Sequence, residues 1–304
     1  MAERRTPLWL WPNLLSLDAP IVAVVWLAIF ARVWLGFLEW QSYFALGLAV
    51  WVIYVVDRLL DVKLLHADDP RLGPRHEFVK RHQKKLTWLV VAASLGCVFM
   101  AFFVLPSRLI GLPAEIGYLL PAGILTFVFF SMNLASAGNT EIPHLRNLVA
   151  GVTFSFGTAM LAHMHIGSEG VFHLLQSREM LCFALLCAVN ISAIHFWEHS
   201  RQSRDENFQA AHELALTLPL VVLGAACIAF AGFGQEAVEP EFVSQEIDPE
   251  ATRRAFFYAV LIAAGLLFVL NRVRERFSMD ALRVLADVAL IAPFPVFWLM
   301  TIAR

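Results

Sequence analysis

A polytopic bundle of membrane-spanning α-helices is the fold class this sequence predicts, on three observations. Hydrophobic residues make up 59% of the 304-residue chain and charged residues only 16%, whereas soluble domains carry about one-quarter charged residues. Mean hydropathy is +0.66. The apolar residues also fall in long continuous runs, each near the roughly 20 residues that a helix needs to cross a hydrocarbon layer. Because the runs are continuous and do not alternate at period two, helices are expected and a transmembrane barrel is not.

Taken in order, runs bounded by charge, proline or glycine predict nine helices, near 19–37, 42–61, 86–105, 116–132, 147–166, 179–199, 212–232, 255–271 and 283–301. Ahead of the first, Arg4 and Arg5 resemble the start of an export signal. Asp18 and Pro20 interrupt that run and no small-residue cleavage site follows, so the helix is expected to be retained. The second run closes on a polar turn, Tyr54 to Asp61, and leads into the longest charged stretch, 62–85, read as a loop. The third and fourth runs are almost uniformly apolar. Leu145, Arg146 and Asn147 open the fifth helix, and a polar series from Asn190 to Glu206 closes the sixth. The seventh ends before an acidic segment between Glu236 and Glu250, after which the eighth and ninth complete the set. There is no internal repeat, no low-complexity tract and no room for a soluble domain, so residues 1–304 form a single membrane domain.

Orientation follows from lysine and arginine, which are retained on the cytoplasmic side. With the N-terminus inside, the inner segments hold Arg4, Arg5, Arg58, Lys63, Arg71, Arg75, Lys80, Arg81, Lys84, Lys85, Arg146, Arg201, Arg204, Arg272, Arg274, Arg276 and Arg283. Outside remain Arg108, Arg178, Arg253, Arg254 and Arg304, with Arg32 inside the first helix. A cytoplasmic N-terminus and a C-terminus on the opposite side are therefore expected. The net charge of -2 adds nothing. Cys97, Cys182, Cys187 and Cys227 lie in apolar runs without paired metal spacing and read as small buried hydrophobes.

Two polar helix ends carry the candidate chemistry. Asp57 and Asp61 stand four residues apart at the end of the second helix, so their carboxylates share a face and can hold a hard cation or a cation-bound phosphate. The alternative is a helix end that merely meets water. Asn190, His195, Glu198, His199, Arg201, Gln202, Arg204, Asp205 and Glu206 close the sixth helix, on the same predicted side. Ionisable groups at two neighbouring helix ends can converge on one cavity. Arg146, opening the fifth helix there, suits an anionic ligand because a guanidinium fork matches phosphate oxygens and a helix start favours negative charge.

These motifs resemble the UbiA superfamily of membrane prenyltransferases, nine-helix enzymes with an Asn-Asp-x-x-Asp-x-x-x-Asp motif ending helix two and a second acidic motif ending helix six. Ser16 to Pro20 resembles the family's entry to helix one, and His144 to Asn147 its basic opening of helix five. The chain departs from the pattern where Ile53 and Tyr54 replace Asn-Asp and where Gln202 stands at an acidic position. The resemblance implies transfer of a prenyl group from an allylic polyprenyl diphosphate to an unidentified small acceptor, an aromatic compound among the options, with Mg2+ held by Asp57, Asp61, Glu198 and Asp205. Asp57, Asp61 and Glu198 would be catalytic. Arg58, Arg146, Lys80, Arg81, Arg201 and Arg204 would contact diphosphate, with Arg146 foremost. Implied partners are the donor, the acceptor and the lipid bilayer, with no nucleic acid.

Two other readings compete. A non-catalytic or transport protein on the same fold would account for the depleted acidic motifs. His195, Glu198 and His199 also satisfy the His-x-x-Glu-His pattern of inverted zinc peptidases, although no third ligand stands at a telling distance. His163, His165 and His173, near the outer end of the fifth helix, read as interfacial histidines before they read as metal or haem ligands. The 25 phenylalanines and 9 tryptophans read first as lipid-facing and interfacial packing.

Overall fold

The computed structural model describes residues 7–35, 37–64, 74–105, 112–136, 143–166, 170–200, 206–233 and 248–302. The helices are α1 (Trp11–Leu14), α2 (Asp18–Trp34), α3 (Trp40–Leu64), α4 (Pro74–Phe99), α5 (Leu112–Ser136), α6 (Pro143–His163), α7 (Gly170–Gln176), α8 (Arg178–Ser200), α9 (Glu206–Gly232), α10 (Pro249–Arg272), α11 (Met279–Ile291) and α12 (Phe294–Ile302). Among the described residues, eight helical segments are long and apolar enough to span a bilayer, or up to nine if a bent pair at the N-terminus counts as one span. The all-helical, multi-pass membrane architecture expected from the sequence is the one observed.

Three local features differ from expectation. Residues 62–85 are not one long loop, because α4 starts at Pro74 and carries Arg75 through Lys85 on its first turns. Proline at the first helical position costs no hydrogen bond, and the charged residues are good helix formers. The first span is also preceded by a short helix, Leu8–Leu14, that meets α2 at 83°. Ser16 makes that bend with φ of 58°, a left-handed conformation that ends the first helix before Asp18 starts the next. The last span is broken between α11 and α12, where Pro293 and Pro295 remove backbone donors. In the turn before the break, the Leu290 carbonyl accepts the indole N–H of Trp26 at 3.0 Å.

Burial separates centre from periphery. Trp26 and Phe30 of α2 interlock with Phe183 of α8 and Phe256 of α10, Trp26 stacking on Phe183 at a centroid distance of 4.3 Å. All four rings are fully buried. By contrast α4, its continuation through Val104, and α5 expose Trp88, Leu95, Phe103, Leu120 and Phe127. A water-soluble chain would not leave such a belt uncovered, whereas lipid tails solvate it. The tightest seam joins α6 to α8. A β-carbon on Gly151 would stand 2.6 Å from the Ala188 nitrogen and 2.7 Å from the Ala184 oxygen, so the two backbones nearly touch there.

Side-chain pairs fix which helix ends lie together. The start of α2 meets the end of α3, the end of α3 meets the starts of α4 and the end of α5, and the end of α8 meets the end of α10 and the start of α11. At the other end, Tyr118 of α5 meets His163 of α6, and Arg32 of α2 meets Thr301 of α12. The bundle thus has one end rich in buried charge and one that is mainly aromatic.

Candidate functional site

The charged end is built from side chains that the helix starts and stops deliver. The 83° bend places Asn13 over the start of α2, where its amide donates to Asp18 at 2.6 Å. Arg58, buried at the end of α3, donates to the Asn13 carbonyl and lies 3.7 Å from Asp18. Asp57 directly precedes Arg58 on α3, and Tyr54 and Asp61 stand one turn to either side. Asp57 accepts from the Asn133 amide of α5 at 2.7 Å, while Asp61 lies 3.6 Å from His76 of α4. The two carboxylates are close enough to repel.

Across the site, α8 and α11 pair. Both Nε and Nη2 of Arg283 donate to one oxygen of Glu198, at 2.9 and 2.6 Å, and Nη1 donates to Asp280 at 3.1 Å. One turn along α11, Asp287 accepts from the Asn190 side chain of α8. Trp197 donates to Asn271 of α10 at 2.9 Å, and Asn271 also accepts from Arg274 at 3.1 Å. Arg75 lies between the two halves, its guanidinium within electrostatic range of Asp57 and Asp18 on one side and of Glu198 and Arg283 on the other. Asp57 and Glu198, well over a hundred positions apart in sequence, therefore lie at the same end of the bundle.

Hydrogen bonding at this end of the bundle is incomplete. Asp18 Oδ1, Arg75 Nε, Asn147 Oδ1 and Asn190 Oδ1 are all buried without a partner. Each such atom costs about 1–3 kcal/mol unless something polar meets it. Three acceptors and one donor at one helix-lined end can be met by a ligand carrying oxygen acceptors together with a cation or hydroxyl donors.

No family model, no curated protein and no solved structure matches this chain. Its chemistry must be read from the geometry alone.

Of the residues singled out from sequence, Asp57, Asp61, Arg58 and Glu198 enter the cluster, each with a protein partner. Arg146 is half-buried at the start of α6 and makes no ion pair among the described residues. Lys80 and Arg81 are exposed on α4, beside the buried His76 and Val79. Arg201, Gln202, Arg204 and Asp205 lie outside the described residues, as does the His199 side chain. Among the described residues no three of His, Cys, Asp or Glu gather to hold a metal ion, and Glu198 is bonded to Arg283. Sequence reading missed Asn13, His76, Asn133 and Asp287 altogether, and treated Arg75 and Arg283 only as topological charge. Ionisable residues inside otherwise apolar spans are the signal that would have found Arg283 and Asp287.

The histidines at the opposite end form a separate chain. Tyr118 Oη lies 2.7 Å from His163 Nδ1, and His163 Nε2 lies 3.1 Å from His173 Nδ1. His163 also packs edge-on against Trp34, which is a satisfied buried histidine.

Proposed function

We propose that this chain is an intramembrane transferase of the UbiA type, binding an allylic polyprenyl diphosphate at its charged end and passing the prenyl group to a small acceptor. The observation that carries the reading is the convergence of Asp57, Asp61 and Arg75 at one end of a bundle whose buried polar atoms include several without partners. Basic residues gather at that same end in sequence, which supports a cytoplasmic placement for it.

The acids present suit one magnesium ion. Asp57 and Asp61 offer oxygen donors from one helix face, and magnesium usually takes one or two carboxylates beside phosphate oxygens and water. Glu198 does not suit that role while Arg283 holds it. Magnesium bound there would offset the charge of the departing diphosphate. The protein's own contributions are distinct. Asn133 fixes the orientation of the Asp57 carboxylate through its amide. Arg75, whose Nε has no partner, is the residue placed to donate to a phosphate oxygen. Arg58 is committed to Asp18 and the Asn13 carbonyl, and so holds the α1–α2 bend against α3.

A second reading, binding or transport of the same class of amphiphile without transfer, is favoured by the Arg283–Glu198 pair. It leaves one acidic helix end where the resemblance implies two.

Calorimetric titration of geranyl diphosphate into detergent-solubilised protein tests the first step. Binding is expected only with magnesium present and should weaken by about tenfold or more in Asp57→Asn, the equivalent of one lost charged contact. Absence of magnesium-dependent binding in the parent protein would end the proposal. Binding without transfer to any phenolic acceptor would select the second reading.

A further inference from the structure

At the aromatic end, far from the charged cluster, a groove of about 660 Å³ opens between α2, α3 and α12. Its size falls in the range of sites that hold small organic ligands. Ala28, Ala31, Phe294 and Trp298 give it apolar walls, and Arg32, Glu39, Gln41 and Tyr43 supply its polar groups. Arg32 sits in the last turn of α2, within an otherwise apolar span. Its Nη2 donates to the Thr301 carbonyl at 3.2 Å and its guanidinium lies 5.9 Å from the Trp298 ring centre. These contacts hold the side chain in place but leave Nε buried without a partner. Gln41 Oε1, on the same groove, is likewise buried and unpartnered. The groove therefore presents a cationic donor at one point, and an amide acceptor beside a carboxylate at another.

Its surroundings mark the bilayer interface. Phe37 is 78% exposed and Trp40 69% exposed at the groove mouth, in the manner of the aromatic belts that lie among lipid headgroups. A ligand arriving from the headgroup region, with a phosphate for Arg32, an ammonium for Glu39 and Gln41, and hydrocarbon for the walls, matches every feature.

We propose that this groove binds a phospholipid with a primary-amine headgroup, its phosphate on Arg32 and its ammonium between Gln41 and Glu39. The site is independent of the transferase reading, because it uses none of the same residues and opens at the other end of the bundle. A phosphate accepts from the guanidinium Nε, and the amine supplies the donor that Gln41 Oε1 lacks. Phosphatidylcholine carries phosphate but no N–H donor, and phosphatidylglycerol brings no positive charge to Glu39, so discrimination among the three follows from the polar groups.

Native mass spectrometry of the delipidated full chain tests this, with equimolar phosphatidylethanolamine, phosphatidylglycerol and phosphatidylcholine of identical acyl chains. Phosphatidylethanolamine should be retained about tenfold over each of the others, the worth of one charged hydrogen bond. Arg32→Gln should abolish the preference, and Glu39→Gln should raise phosphatidylglycerol to parity. Gln41→Leu, which keeps volume and removes only the acceptor, decides the matter if Arg32→Gln does not fold. Equal retention of the three lipids by the parent, or an unchanged preference in Gln41→Leu, would overturn the proposal. Displacement of the lipid by an equal concentration of free phosphoethanolamine would overturn its assignment to a membrane lipid.

Discussion

Replacing Arg283 by methionine removes the hydrogen-bonded partner that Glu198 has among the described residues and keeps the apolar stem of the side chain. The magnitude can be worked from the contacts. Arg283 is 8% exposed and Glu198 15%, and two N–H groups converge on a single carboxylate oxygen. Removing one member of such a buried pair leaves an uncompensated charge and costs about 3–5 kcal/mol. The bond to Asp280 adds little, because that carboxylate is 31% exposed and exposed pairs contribute about 0–1 kcal/mol. Glu198→Gln is milder, about 1–2 kcal/mol, since Arg283 keeps Asp280 and the new amide oxygen still accepts. In the double variant the stranded carboxylate is gone. A coupling energy of about 2–3 kcal/mol should therefore emerge from the four-protein cycle. Thermal unfolding in detergent, followed by tryptophan fluorescence, reads it at about 2–3 °C per kcal/mol for a chain of this size. Arg283→Met no less stable than the parent, or a double variant no more stable than Arg283→Met, would refute the pairing and return Glu198 to the pool of candidate metal ligands.

Two further substitutions test the packing behind the site. Gly151→Ala gains about 1 kcal/mol of helix propensity, but its β-carbon must move from 2.6 Å to the 3.4 Å of ordinary contact with α8. Overpacking of this kind costs about 1–3 kcal/mol, so a lowered melting temperature is expected, and a raised one would show that α6 and α8 are not so closely apposed. Trp197→Phe deletes the indole donor to Asn271 while Arg274 still serves that oxygen. A loss of about 1 kcal/mol follows, and a drop beyond about 3 kcal/mol in the same melting experiment would mean that the ring's packing outweighs its hydrogen bond.

Hydropathy alone made the fold legible, because the bilayer demands continuous apolar length and lets no backbone group go unpaired. Among the described residues, the eight candidate spans, and the bent N-terminal pair that would make a ninth, fall on the runs where helices were expected, within a few residues at most ends. The exceptions share a cause. Hydropathy measures preference for lipid and is silent on helicity outside it, so the polar first turns of α4, from Arg75 to Lys85, read as loop while being helical. Ser16 offered no sign of a left-handed turn, since only a minority of serines adopt one. The candidate site was legible to the extent that one helix face presents its own chemistry. Asp57 and Asp61 are four apart in sequence and so share a face by geometry. Asn133, Arg283 and Asp287 come from other helices, and nothing in a linear pattern states which helix end packs on which. Arg32 and Gln41 escaped notice for the same reason, since the groove they line takes its third wall from α12.

The role of α11 bears most directly on function. Arg283 and Asp287 stand one turn apart and both engage α8, the arginine through Glu198 and the aspartate through Asn190. A helix end presenting Glu198 alone would carry an uncompensated negative charge toward Asp57 and Asp61, and closing that gap would require a cation. Arg283 supplies a fixed one. A guanidinium bonded to a carboxylate is a permanent part of the protein, whereas a divalent ion arrives with the ligand it serves. On the transferase proposal the charged end is divided, with a resident salt bridge on the α8–α11 side and the exchangeable ion on the α3 side at Asp57 and Asp61. On the transferase proposal, magnesium dependence should be lost with Asp57→Asn and persist in Glu198→Gln. Equal loss in both variants would show that the salt bridge opens when diphosphate binds and that Glu198 joins the ion after all.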